Sequence, residues 1–231
     1  MREIIRTYAQ GDSWYEIARA ARNGARHMYI SGATVLGKVL VAATAKHEWE
    51  RPILIITSHA QHAERLVADL EGFIGEGKAV LFPPDEALLY GVFAQSPELA
   101  GQRLGILARL ALGNTPGIIV AAWDALLAKL APPDLFRTHT LHLKVGLEIA
   151  RDKLVQTLSA AGYERVELTE APGQFSVRGG LVDIYPLTAE EPVRVEFFGD
   201  EIDTIRGFDL TSQRTTVTRT DVLVSPATEA F

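Results

Sequence analysis

Residues 174–200 read QFSVRGGLVDIYPLTAEEPVRVEFFGD, and the fold of the second half of the chain turns on how that stretch divides. In PVRVEFFGD (192–200), Val193, Val195 and Phe197 fall on one face and Arg194, Glu196 and Phe198 on the other, because successive strand side chains point to opposite sides. The first set makes a core face. The second sets an aromatic ring beside an arginine on the outer face, the composition of a protein–protein hot spot. The alternative is that a neighbouring domain or loop covers Phe198. Upstream, Val177 points in and Arg178 out, while Val182 and Ile184 again fit the core. Strict alternation slips by one between Val177 and Val182, and Gly179–Gly180 is the place for a bulge that restores it. Arg178 then joins Arg194 and Phe198 in an anion-seeking patch with an apolar anchor. Charge reversal at both arginines is expected to abolish partner binding with the fold intact.

Working outward, EIARDKLVQTLSAAG (148–162) is one amphipathic helix, and ERVELTE (164–170) and EIDTIRGFD (201–209) are further strands. THTLHLKVG (138–146) alternates as a strand, and SQRTTVTRTDVLVSPATEAF (212–231) returns along the sheet or leaves it. This is an antiparallel sheet with a helix against it, an α+β module.

Before about residue 135 the pattern differs. Short apolar runs, HMYISG (27–32), RPILIITS (51–58), KAVLFPP (78–84) and TPGIIVAAW (115–123), alternate with helical segments. That order predicts a parallel sheet with helices on both faces, an α/β domain. The helices expected are one over 13–23, with Ser13 as N-cap and Glu16 closing a capping box, then 36–50, 59–75, 99–113 and DALLAKLAPP (124–133). The residues 85–98 between the third strand and the next helix read as a polar loop.

Gly32, Gly37 and Lys38 match the phosphate-loop pattern G-x-x-x-x-G-K-[ST] between an expected strand and helix, but Val39 stands where the pattern needs a hydroxyl. That hydroxyl ligates magnesium, and a methyl cannot replace it. Val35 and Leu36 are also bulky where backbone must wrap round phosphate. A later acidic metal partner is wanting, because Asp124 reads as the N-cap of its helix. The expectation is a vestigial loop without hydrolysis; weak nucleotide binding stays open.

The 231 residues include no cysteine and 47% hydrophobic residues, which removes thiol chemistry and fits a reducing, cytoplasmic setting. No apolar run approaches the roughly 20 residues of a membrane span, and the charged start lacks a signal-peptide core. Of the net charge of −6, all falls in residues 134–231, which hold 10 Lys+Arg against 16 Asp+Glu. An acidic second half argues against nucleic acid as its main ligand and favours a protein partner. Two H-x-x-H pairs, His59/His62 and His139/His142, lack a third ligand, so no metal site is expected. No nucleophile elbow or carboxylate pair stands out, and no catalytic residue is assigned.

The block PGQFSVRGGLVDIYPLTAEEPVRVEFFGDEIDTIRGFDLTSQRT (172–215), extended by YERVELTE (163–170) and SPELAGQRLGILARL (96–110), resembles the bacterial transcription-repair coupling factors (Mfd) and, more distantly, UvrB. The resemblance implies a degenerate helicase-like domain 1a over 1–135, a UvrB-type domain 2 over 136–226, and the stub of a domain 1b at 227–231. It implies that domain 2 recruits UvrA through Arg178, Arg194 and Phe198, in transcription-coupled nucleotide excision repair. RNA polymerase and DNA would be partners of the rest of a longer protein, whose motor uses ATP and magnesium. This stretch carries none of those motor motifs, so no cofactor is assigned to it. The other readings are a P-loop nucleotide-hydrolysing domain and a damaged-DNA binder like UvrB.

Overall fold

Three parallel strands form the first sheet, in the order β1 (Ile53–Thr57), β3 (Ile118–Ala122), β2 (Ala79–Phe82). The computed structural model describes residues 2–49, 51–84, 96–127 and 129–228. By contacts the chain divides into Met1–Pro84 with Pro116–Leu127, and Asp85–Thr115 with Ala128–Phe231. The division therefore crosses the chain three times, unlike a single cut at residue 135. The α/β and α+β characters expected of the two halves are both present, a parallel sheet in the first unit and antiparallel sheets in the second.

In the first unit, α1 (Arg2–Ala9), α2 (Asp12–Arg22), α3 (Val35–Trp49) and α4 (Ala60–Ile74) accompany the sheet. Val39, Ala63, Leu70, Ala79, Ile118 and Val120 make its core. The central β3 is buried along its whole length, which is why IIVAA carries no polar residue.

Several expectations need correction here. Residues 27–32 form no strand: β1 pairs only with β3 among the described residues, and Tyr29 is 93% exposed between the turn glycines Gly24 and Gly32. The three apolar residues of this run, Met28, Tyr29 and Ile30, have no partner strand among the described residues, and apolar composition alone does not make one. Leu54 and Ile56 of β1 are exposed, so helices do not cover both faces along that strand. Helix α2 is capped by extended Gly11, not Ser13, so the Ser13/Glu16 capping box is not used. After β3 the chain makes one 3₁₀ turn, Trp123–Leu126, in place of the helix expected from 124. Asp124 lies inside that turn and caps nothing with its side chain. Residues 85–95 of the expected loop lie outside the described residues.

The second unit opens with α5 (Pro97–Ala111), whose N-cap Ser96 accepts from the Leu99 N–H. Helix α6 (Pro133–His139) follows, started by Pro133 at a position where its missing N–H costs nothing; this helix replaces the beginning of the strand expected at 138. Strand β4 (Leu141–Lys144) and helix α7 (Arg151–Ala160) come next. The main sheet has six strands in the order β10 (Thr215–Arg219), β9 (Glu201–Phe208), β8 (Val193–Phe198), β7 (Leu181–Ile184), β6 (Gln174–Arg178), β5 (Glu164–Arg165). All neighbours are antiparallel except β5 and β6. The C-terminal stretch does both things expected of it: β10 extends the sheet, and β11 (Asp221–Val224) pairs with β4.

Leu154 and Leu158 of α7 pack on Phe175, Val182, Ile184, Val193, Val195, Ile202 and Ile205, so one face of the sheet is core. Helix α5 approaches the 187 carbonyl so closely that a Cβ on Gly105 would stand 2.8 Å from it; a side chain there forces one of the two backbones to move.

Tyr163 closes this core from one end, its hydroxyl donating to the Ser225 carbonyl at 2.8 Å. Burial pushes its phenol well above the usual range. A raised acid keeps its full stabilising effect below its unfolded value of about 10 and loses it as pH rises beyond. Tyr163→Phe should therefore cost about 1–2 kcal/mol near neutrality, from the lost bond. It should also flatten the fall in stability above about pH 10. Urea titrations from neutral to alkaline pH read both effects.

Candidate protein-docking face

The division of residues 174–200 is settled by Gly179. It takes φ +59° as the first central residue of a two-residue turn, with Arg178 opposite Leu181 and Val177 opposite Val182. The segment is a hairpin and not one bulged strand, because glycine at this position reverses the chain without steric cost. The hairpin still leaves Val177 and Val182 facing the core and Arg178 facing out, as the bulge was meant to do. Arg151, the first residue of α7, donates to the Gly179 carbonyl at 2.6 Å and holds the turn. Register shifts do occur elsewhere in the sheet, between β8 and β9 at Glu196/Phe197 and between β10 and β9 at Thr215/Thr218.

The face turned away from the core carries Arg178, Asp183, Arg194, Glu196, Phe198 and Arg206. At its centre is Asp183, 1% exposed, which the alternation argument passed over. Arg194 grips it with two bonds, Nε to Oδ1 at 2.7 Å and Nη2 to Oδ2 at 2.8 Å. Arg178 Nη2 reaches Oδ2 at 2.7 Å. The register produces this: Asp183 stands directly opposite Arg194 on the neighbouring strand. A fork-shaped guanidinium meets a carboxylate in two parallel bonds.

The two arginines are not equivalent. Arg194 has an 11% exposed side chain, its Nη1 donates to the Gln213 carbonyl at 3.2 Å, and its guanidinium lies 4.8 Å from the Phe208 ring centre. The hydrogen bond it donates to Asp183 raises its pKa against the opposing effect of burial, so it stays charged. Arg178 is 46% exposed and has the single bond to Asp183. Arg194 also stands opposite Arg206, a like-charge pair made tolerable because Asp183 takes one and Glu196 the other at 3.6 Å. Glu196 is further held by the Thr204 hydroxyl at 2.9 Å. The three arginines of this face are matched by three carboxylates, Asp183, Glu196 and Glu201, the last standing opposite Phe198. At the end of β8, Phe198 is 83% exposed.

Residues 141–230 match the UvrB interaction domain family. That match covers 90 of the chain's 231 residues. The whole chain is also similar to curated proteins named transcription-repair-coupling factor. It is 34% identical over 220 residues to that of Bacillus subtilis, which covers 95% of this chain and 19% of the relative. It is 30% identical over 229 residues to that of Staphylococcus haemolyticus, 99% of this chain and 19% of the relative. With Staphylococcus aureus USA300 the figures are 32% over 191 residues, 83% and 16%. The chain thus spans less than a fifth of the length of these relatives. The matched residues of the UvrB interaction domain include Arg178, Asp183, Arg194, Glu196, Phe198 and Arg206 of the face described above.

The other candidate residues lie in the first unit. Helix α3 already begins at Val35, so Val35 and Leu36 occupy its first turn and are exposed. Thr34 acts as its cap: Thr34 Oγ1 accepts from Gly37 N–H at 3.2 Å, and the Thr34 carbonyl accepts from Lys38 N–H at 3.0 Å. Gly32 takes φ +74° and Lys38 is exposed. Val39 is wholly buried in the first core, which gives its side chain a packing role where the pattern wants a metal ligand. Val39→Thr should cost about 1–3 kcal/mol, the penalty of a buried hydroxyl without a partner; the urea midpoint reads it.

The histidine pairs separate. His59 is the extended N-cap of α4 while His62 sits in the first turn. His139 ends α6, its Nδ1–H donating to the Leu135 carbonyl at 2.8 Å, whereas His142 lies in β4 and meets Asp221 at 2.6 Å. The His142 bond holds the Asp221 carboxyl below its ordinary range. No helix among the described residues is long and apolar enough to cross a membrane.

Proposed function

We propose that this chain is the part of a transcription-repair coupling factor that recruits UvrA in transcription-coupled nucleotide excision repair. The observation that carries the reading is Phe198, a large ring left open to solvent beside fixed arginines on a UvrB interaction domain. Arg178, Arg194 and Phe198 form the UvrA-binding set. The reading assigns no catalysis to this chain. ATP, magnesium, DNA and RNA polymerase belong to other parts of the longer protein, and Gly32, Gly37 and Lys38 are a vestigial phosphate loop. Support for that last assignment is the buried Val39 and the Thr34 cap on the Gly37 N–H.

The test is capture of purified UvrA by this chain, with Phe198→Ala as the comparison. Binding by the parent and its loss in the variant is the expected outcome. No capture by the parent ends the reading, and equal capture by both takes Phe198 out of the interface.

A further inference from the structure

We infer that Asp183 is a positioning residue for the docking face, and that Arg178 alone of the two arginines meets the partner, through a carboxylate. This rests on the recruitment reading and divides its three-residue set. All three nitrogens of Arg194 are engaged: Nε and Nη2 are bound to Asp183, Nη1 to the Gln213 carbonyl, and the Phe208 ring lies against the guanidinium of a side chain that is 11% exposed. Its work is to hold Asp183. Arg178 is bonded only through Nη2 among the described residues, which leaves its Nε and Nη1 hydrogens without an acceptor. One buried carboxylate therefore fixes Arg178 from behind and leaves its other donors turned outward.

That arrangement selects the partner's chemistry. Unused donors on a fixed, half-exposed guanidinium suit a carboxylate, and a cation held in place loses less freedom on binding than a loose one. Arg178 keeps unused cationic donors within a half of the chain that is acidic, so an acidic group on the partner is drawn to this spot and repelled elsewhere. Phe198 supplies the apolar anchor alongside.

The experiment measures the UvrA dissociation constant of the 231-residue chain at two salt concentrations. The variants are Arg178→Ala, Arg178→Lys, Asp183→Asn, Asp183→Asn with Arg178→Ala, and Phe198→Ala. Arg178→Ala should weaken binding about tenfold and reduce its salt dependence. Arg178→Lys keeps the charge but not the fork, and should bind as weakly as the alanine variant. Asp183→Asn should weaken binding too, and adding Arg178→Ala to it should then have little further effect, a coupling that general loss of stability does not produce. Binding by Arg178→Lys equal to the parent, or independent effects of the Asp183 and Arg178 changes, overturns the inference. If Asp183→Asn does not fold, Arg178→Lys decides alone. A parent that fails to bind removes the recruitment reading and this inference together. Weakening by Phe198→Ala with no effect of Arg178→Lys removes only the inference.

Discussion

Arg194→Glu should lower the stability of the chain by about 3–5 kcal/mol, because it breaks a buried ion pair and leaves one charge behind. Asp183 is almost fully buried and takes two of its three arginine bonds from Arg194. The substitution removes those bonds and sets a second carboxylate opposite the first. The total stability of a domain is about 5–15 kcal/mol, so the loss is a large fraction of it. The urea midpoint of the variant should fall steeply, whereas Arg178→Ala, at a half-exposed pair, should cost about 1 kcal/mol or less. A midpoint unchanged by Arg194→Glu would mean that the Asp183 clamp does not support the sheet. Reversing both arginines is consequently a poor probe of docking: lost binding would report a damaged fold as readily as a lost contact.

Phe198→Ala should do the opposite, leaving stability almost untouched and weakening UvrA binding by about 30-fold or more, the effect of losing a hot-spot ring worth roughly 2 kcal/mol. The ring is 83% exposed, so the free chain buries little of it. A binding partner that covers it removes apolar surface from water at about 25 cal/mol per Å². Calorimetric titration with UvrA gives the affinity, and thermal unfolding of the free variant shows that the fold is kept. A dissociation constant within twofold of the parent's would place Phe198 outside the interface.

The outer face was readable because period-two alternation survives in VRVEFF: Val193 and Val195 are buried, Arg194 and Glu196 half-buried, and Phe198 exposed. The turn at Gly179–Gly180 was less so, since a bulge and a two-residue hairpin give the same inside-outside pattern. What separates them is whether Leu181 pairs with Arg178 or follows it along one strand, a matter of tertiary pairing. Asp183 was missed for a different reason. Sitting between Val182 and Ile184, it looks like an ordinary outward polar residue, and only its position across from Arg194 gives it two cationic partners. Helix α6 was legible in principle, with prolines 132 and 133 at its start, but its seven residues are too few to show a helical period. The run at 27–32 failed as a strand because its three apolar residues do not by themselves decide between a strand and a loop, and it pairs with no strand among the described residues.

The seat of α5 against Leu187 bears on how such a protein can be inherited and rearranged. The docking face belongs to a unit drawn from two separate lengths of chain, with the 116–127 stretch of the other unit threaded between them. A single crossover near residue 135 would carry the sheet away without the helix that fits its Gly105 against the 187 carbonyl. The recipient would gain Phe198 and the arginines on a sheet with one side of its support missing. A fragment cut near residue 135 should therefore keep the docking residues but unfold at lower urea than the whole chain.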